Sequence, residues 1–271
     1  MEERRTSDPV PSTIELPGGR LSYVDEGPAD GPALIAIHGI PGSVRDFRHL
    51  APHLTDQVRF VRVDLPGFGG SAPMPEAVRS LSARADALLS LADHLGLGGL
   101  GVLGHSMGGG TALVLGAEHP GRVKLLVLVA SVALSRHRGI GMSPGTFGRF
   151  ARALELPLLG ALLARYARNQ YRRRGFSGVE EMTAQDIARH FRAIAALDFA
   201  RQRRIVQGPL PPTLIAYARD DRMVETWISE ELVAALPHAR VLAFDEGGHN
   251  LQKTRAAELA RAIKDSLGVP P

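Results

Sequence analysis

Leu100-Gly101-Val102-Leu103-Gly104-His105-Ser106-Met107-Gly108-Gly109 is the stretch on which the reading of this chain turns. An apolar run of strand character ends at Gly104, and a helix is expected to begin near Gly108. Ser106 therefore stands in a G-x-S-x-G pattern on a tight strand-to-helix turn, which would expose its hydroxyl at the carboxyl end of a sheet. Glycines two residues before and after it relieve the crowding of such a turn. The same pattern recurs at Gly141-Met142-Ser143-Pro144-Gly145. No strand precedes that copy, and Pro144 has no N–H to offer an oxyanion, so Ser143 is set aside.

Working outward, apolar runs of strand character recur at Arg20 to Asp25, Ala33 to His38, Val58 to Asp64, Val123 to Ala130, Thr213 to Ala218 and Arg240 to Asp245. Several are continuously apolar, as parallel strands buried on both faces must be. Between them, Ser82 to Leu95, Thr111 to Glu118, Thr226 to Leu236 and Thr254 to Leu267 carry helical spacing, with Ser82 as the expected cap of the first. The expected fold is α/β, a mostly parallel central sheet with helices on both faces and a helical cap inserted after the sixth strand. The core is expected over 14–133 and 209–268, and the cap over 134–208, where breakers abound and no strand pattern appears. Residues 1–12 and 268–271 are expected to be frayed.

Composition narrows the function classes. The chain has 271 residues, 44% of them hydrophobic, enough for one well-cored domain. It has no cysteine, which removes disulfides and every thiolate chemistry. The first residues, MEERRTSDPVPST, lack the apolar core of a secretory leader, and no apolar run reaches the roughly 20 residues of a membrane span, so a cytoplasmic location is expected. Net charge is +4, too mild to argue for nucleic acid. The charge is uneven, however: residues 135–208 hold fourteen Arg, no Lys and five acids, so the remainder sums to −5. Arg165, Arg168 and Arg172 fall at helical spacing there, which suits an anionic substrate or an anionic lipid surface; the simpler reading is arginine in place of lysine on solvated helices. The aromatics of this segment form no stacking platform for a polyanion.

A serine hydroxyl needs a base, and the base needs a carboxylate to hold its tautomer. After Ser106, His119 and His238 adjoin prolines near helix ends, and His137 and His190 lie in the arginine-rich segment. His249 follows the strand VLAFD in the loop Glu246-Gly247-Gly248-His249-Asn250, where two glycines free the backbone to turn the imidazole inward. It is the expected general base. The acid should end the preceding strand, where Arg219-Asp220-Asp221-Arg222 offers two candidates that spacing does not separate. Two backbone N–H groups should receive the oxyanion: Met107, next to the nucleophile, and Ile40 in His38-Gly39-Ile40-Pro41-Gly42, since Pro41 has none to give. No metal or other cofactor is called for.

Five segments in order, HGIPGS from His38, DLPGFGGS from Asp64, GHSMGG from Gly104, RDDRMV from Arg219 and Gly248-His249, resemble the small, capped serine hydrolases of the alpha/beta-hydrolase fold family. The resemblance covers nearly all of residues 20–268. It implies Asp221 as the acid, although Ala218 stands where the family often has Gly. Dehalogenases and epoxide hydrolases of this fold carry a carboxylate where this chain has Ser106, so Tyr166 and Tyr171 read as packing residues. Proline iminopeptidases resemble it less, having Trp and Gly where Met107 and Ile40 stand. What the resemblance implies is hydrolysis of a small to medium ester-like substrate, or of a carbon–carbon, lactone or amide bond on the same triad. A catalytically idle, ligand-binding hydrolase fold is the alternative of a different class.

Overall fold

A computed structural model describes residues 8–16, 19–73, 80–138, 143–173 and 179–269. The strands are β1 (Ser12–Leu16), β2 (Gly19–Glu26), β3 (Ala33–Ile37), β4 (Arg59–Val63), β5 (Leu100–His105), β6 (Val123–Val129), β7 (Thr213–Ala218) and β8 (Arg240–Phe244). They form one eight-stranded sheet in the order β1-β2-β4-β3-β5-β6-β7-β8. β1 with β2 and β2 with β4 are antiparallel, and every other pair is parallel. Every residue of β3, β5 and β7 is buried, the expected consequence of covering a parallel sheet on both faces.

The two faces are read from alternate residues. Ile35, Ile37, Val102, Leu126, Leu128 and Ile215 pack on one side with α1 (Leu81–His94) and α2 (Gly108–Glu118). Leu34, Ala36, Leu103, Val127, Val129 and Leu214 pack on the other with α9 (Ala256–Ser266). Between β6 and β7 come α3 (Pro144–Ala153), α4 (Pro157–Arg173), α5 (Ala184–Ala195) and α6 (Phe199–Ile205). The first three share a small core of Ala151, Leu154, Ala164, Ala167, Ile187 and Ala188. α7 (Thr226–Ala235) follows β7, and α8 (Leu251–Thr254) precedes α9. Among the described residues no helix is long and apolar enough to cross a membrane.

Three local expectations need correction. β1 is an additional strand, beginning ahead of the expected core boundary at residue 14. Its short, half-polar sequence STIEL alternates in exposure at the sheet edge and pairs only with β2. Nor is the chain free before it, because Asp8, with Glu26, pairs with the fully buried guanidinium of Arg62 at 2.9 and 2.6 Å. The cap of α1 is Ser80 rather than Ser82: Ser80 keeps an extended backbone and accepts from Ala83 N at 3.3 Å, whereas Ser82 is already inside the helix and bonds Arg201. The helix expected from Thr254 begins at Ala256, after a separate short helix that ends at Thr254.

Candidate active site

The turn after β5 is built around a strained residue. Ser106 has φ of +52°, a left-handed conformation that a non-glycine side chain adopts only when its surroundings impose it. Here its N–H donates to Val129 O at 2.9 Å, and its carbonyl accepts from Gly109 and Val132 N–H at 3.1 Å. The flanking glycines are steric necessities. A Cβ on Gly104 would lie 2.6 Å from Gly109 Cα, and one on Gly108 would lie 2.4 Å from Ile37 O. α2 starts at Gly108, so Ser106 stands at its amino end, where free N–H groups favour negative charge.

Asp221 and His249 are brought together from the ends of β7 and β8. Asp221 Oδ2 lies 2.8 Å from His249 Nδ1, while its Oδ1 accepts from Met223 and Val224 N–H at 2.7 and 3.0 Å. Burial alone would raise this carboxyl, but His249 and the two N–H donors outweigh it and hold it below its ordinary value. A carboxylate can only accept, so His249 Nδ1 carries the proton and Nε2 is left as the acceptor. The neighbouring Asp220 faces elsewhere: one oxygen accepts from Gly247 and Gly248 N–H at 2.9 and 2.7 Å, bracing the loop that presents His249. Thr254 ties the same loop through its hydroxyl to Gly247 O at 2.6 Å.

Ser106 and His249 line one cavity of about 340 Å3, together with Gly39, Ile40 and His105. Met107 is the residue at which α2 is capped, and neither its N–H nor that of Ile40 donates to a protein acceptor among the described residues. The Ile40 loop is held from below by His38, which accepts from Leu65 N–H at 3.0 Å and donates to Gly39 O at 2.6 Å. Ser143, the other serine of the G-x-S-x-G pattern, caps α3 by accepting from Thr146 N–H at 3.2 Å. Gly141 and Met142 lie outside the described residues.

Several groups at the site escaped sequence reasoning. His105 Nε2 donates to the carbonyl of His249 at 3.0 Å, and burial, then the proximity of His249, pushes its pKa down to about 3, so it is a neutral brace. A polar residue at the end of a wholly apolar strand was its only signal. Asp46 also lines the cavity, its carboxyl raised by burial against the opposing influence of His38 and the Ser43 N–H. At the rim stand Arg48, His49 and Lys253; slight burial and the charges of Arg48 and Lys253 hold His49 below its ordinary value. The arginine-rich helix is elsewhere: Arg165, Arg168 and Arg172 border a separate hollow with Leu162 and Tyr166. Tyr171 is buried beside His190, whose ring stacks on Phe68 at 5.2 Å. Among the described residues no three His, Asp or Glu side chains are grouped to hold a metal ion.

Comparison with known proteins agrees with this architecture. The family model described as alpha/beta hydrolase fold matches residues 32–256. The chain is 30% identical over 263 residues to the magnesium-chelatase 30 kDa subunit of Rhodobacter capsulatus, spanning 90% of this chain and 89% of that one. It is 26% identical to a 2-hydroxymuconate semialdehyde hydrolase of Pseudomonas putida, spanning 98% and 97%. Among solved structures, the enol-lactonase of Burkholderia xenovorans LB400 superposes with a TM-score of 0.75 at 22% identity, covering 95% of this chain and all of that one, a likeness of fold.

Proposed function

The chain belongs to the alpha/beta hydrolase fold family, and from that premise we propose that it is a serine hydrolase cleaving a small to medium carboxylic ester through an acyl-enzyme. The observation that carries this reading is the hydrogen bond from His249 Nδ1 to Asp221, which leaves Nε2 free to take a proton in the cavity that Ser106 also lines. In this mechanism His249 removes the Ser106 proton as Oγ attacks the ester carbonyl. Asp221 stabilises the resulting imidazolium. The oxyanion is received by the N–H groups of Ile40 and Met107, each worth about 2.7–4 kcal/mol to the transition state, with the amino end of α2 behind them. The imidazolium then protonates the leaving alcohol, and water, activated by the same histidine, releases the acid.

The substrate is proposed to carry an anionic group, a reading supported by Arg48, His49 and Lys253 at the cavity rim. α3 to α6, within residues 134–208, act in this proposal as a cap over the core of 14–133 and 209–268. Support comes from Met107 packing in one cluster with Phe147 of α3 and with Leu197, which precedes α6. A cytoplasmic site of action, a small-molecule substrate, no nucleic acid partner and no cofactor complete the proposal. A second reading, carbon–carbon bond hydrolysis on the same triad, is favoured by the end-to-end match to the 2-hydroxymuconate semialdehyde hydrolase.

Turnover of a short-to-long series of p-nitrophenyl esters, with and without a carboxylate on the acyl chain, tests the proposal. The expected result is an initial burst, a lower KM for the anionic esters, and loss of that preference in Arg48→Gln/Lys253→Gln. No turnover of any ester, with cleavage of a ring-fission dienoate instead, would move the assignment to the second reading.

A further inference from the structure

α4 presents two unlike faces. Gly160, Ala164, Ala167 and Tyr171 are buried against the small core that α3 and α5 share, and Gly160 lies so close to the Leu154 backbone that no larger residue fits there. The opposite face carries Leu158, Leu162 and Tyr166, one above the next at helical spacing, exposed by 86%, 68% and 64%, with Leu159 beside them. Five of the nine exposed large hydrophobic side chains of the described residues lie between Leu156 and Tyr166. Scattered apolar residues on a surface need no explanation, but a contiguous stripe on one helix does.

Charge identifies what would cover it. α4 contains Arg165, Arg168, Arg172 and Arg173 and no acidic residue. Arg172 pairs with Glu180 and Arg168 donates to Met182 O, whereas Arg165 and Arg173 meet no carboxylate among the described residues. Arg165 shares its hollow with Leu162 and Tyr166, so the cationic and apolar groups face the same way. A second copy of this chain would bring the same arginines to a helix that carries no acid of its own and to a hollow lined by none. A bilayer bearing anionic phospholipids supplies both partners, phosphate for the guanidinium groups and acyl chains for the leucines.

We propose that α4 lies in the plane of an anionic membrane surface and docks the folded protein there, with Leu158, Leu162 and Tyr166 inserted and Arg165 and Arg173 at the phosphates. This inference is independent of the bond the enzyme cleaves. It is tested by floating the purified full chain with vesicles of phosphatidylcholine, alone or with about a third phosphatidylglycerol, at low and high salt. Each arginine at the surface is worth about fivefold in affinity, so two give an anionic-over-neutral preference on the order of 25-fold that salt reduces. Leu158→Glu/Leu162→Glu should lose at least about tenfold of the binding to anionic vesicles while keeping the wild-type circular dichroism spectrum and thermal midpoint. Arg165→Gln/Arg173→Gln should erase the preference for anionic vesicles. No binding of wild type to anionic vesicles, equal binding to both vesicle types, or undiminished binding by the leucine variant would overturn the proposal. So would a concentration-dependent dimer that the leucine variant abolishes, which would assign the face to a second copy.

Discussion

Ser106 and Ser143 occupy the same G-x-S-x-G pattern, one at the carboxyl edge of the sheet and the other in the helices between β6 and β7. At the sheet edge the backbone is held from both sides, and Ser106 is driven to a positive φ that no local preference would select. In the helical segment Ser143 adopts an ordinary extended backbone with φ of −69° and uses its hydroxyl to satisfy the first turn of α3. The difference teaches that the pattern has chemical meaning only where a buried strand feeds a helix. The same logic separates Asp220 from Asp221, adjacent carboxylates of which one braces a loop and the other meets His249.

The largest expected effect comes from removing each serine in turn. Ser106→Ala should lower kcat by on the order of 10^4–10^6, whereas Ser143→Ala should leave it unchanged. Equal losses, or loss only in Ser143→Ala, would break the comparison. Next comes the pair of aspartates. Asp221→Asn should lower kcat about 10^4-fold by misplacing the His249 proton, while Asp220→Asn should cost far less and act through the Gly247–Gly248 loop. Steady-state rates across pH, with circular dichroism on each variant, separate a chemical defect from a folding one.

A smaller effect concerns stability and pH. Burial pushes His137 and His190 down to about 4 from an ordinary 6.5, so both are neutral in the fold while the unfolded chain takes up protons. Stability should therefore fall as pH drops from 6.5 toward 4, by on the order of 1–3 kcal/mol for each group. Asp221, held low, adds its own loss only below its ordinary 3.8. Urea midpoints between pH 7.5 and 4.5 should show this slope, and His190→Phe, which keeps the stack on Phe68, should flatten it; an unchanged slope would contradict the burial argument. The smallest effect is the cap itself, where Ser143→Ala should cost about 1 kcal/mol of stability.

The interior of the sheet was legible because continuous burial leaves its mark in apolar runs, as in Ala33–Ile37 and Thr213–Ala218. β1 was not, since an edge strand that alternates in exposure resembles an irregular tail. Ser106 and His249 stood out through strand ends and glycines, whereas the choice between Asp220 and Asp221 rests on which N–H groups lie within reach, a tertiary fact. His105 as a brace and the rim of Arg48, His49 and Lys253 depend on contacts between segments far apart in sequence. Helical spacing pointed to the arginines of α4 but was silent on the exposed leucines beside them, because outward and inward faces look alike until a partner is packed on one.

The most direct test is covalent labelling with a fluorophosphonate followed by peptide mapping by mass spectrometry. A single phosphonate on Ser106, absent from Ser106→Ala and formed far more slowly in Asp221→Asn, is the result expected here. A label on Ser143 or another residue, or unimpaired labelling of Asp221→Asn, would contradict the assignment of Ser106 as the nucleophile activated through His249 and Asp221.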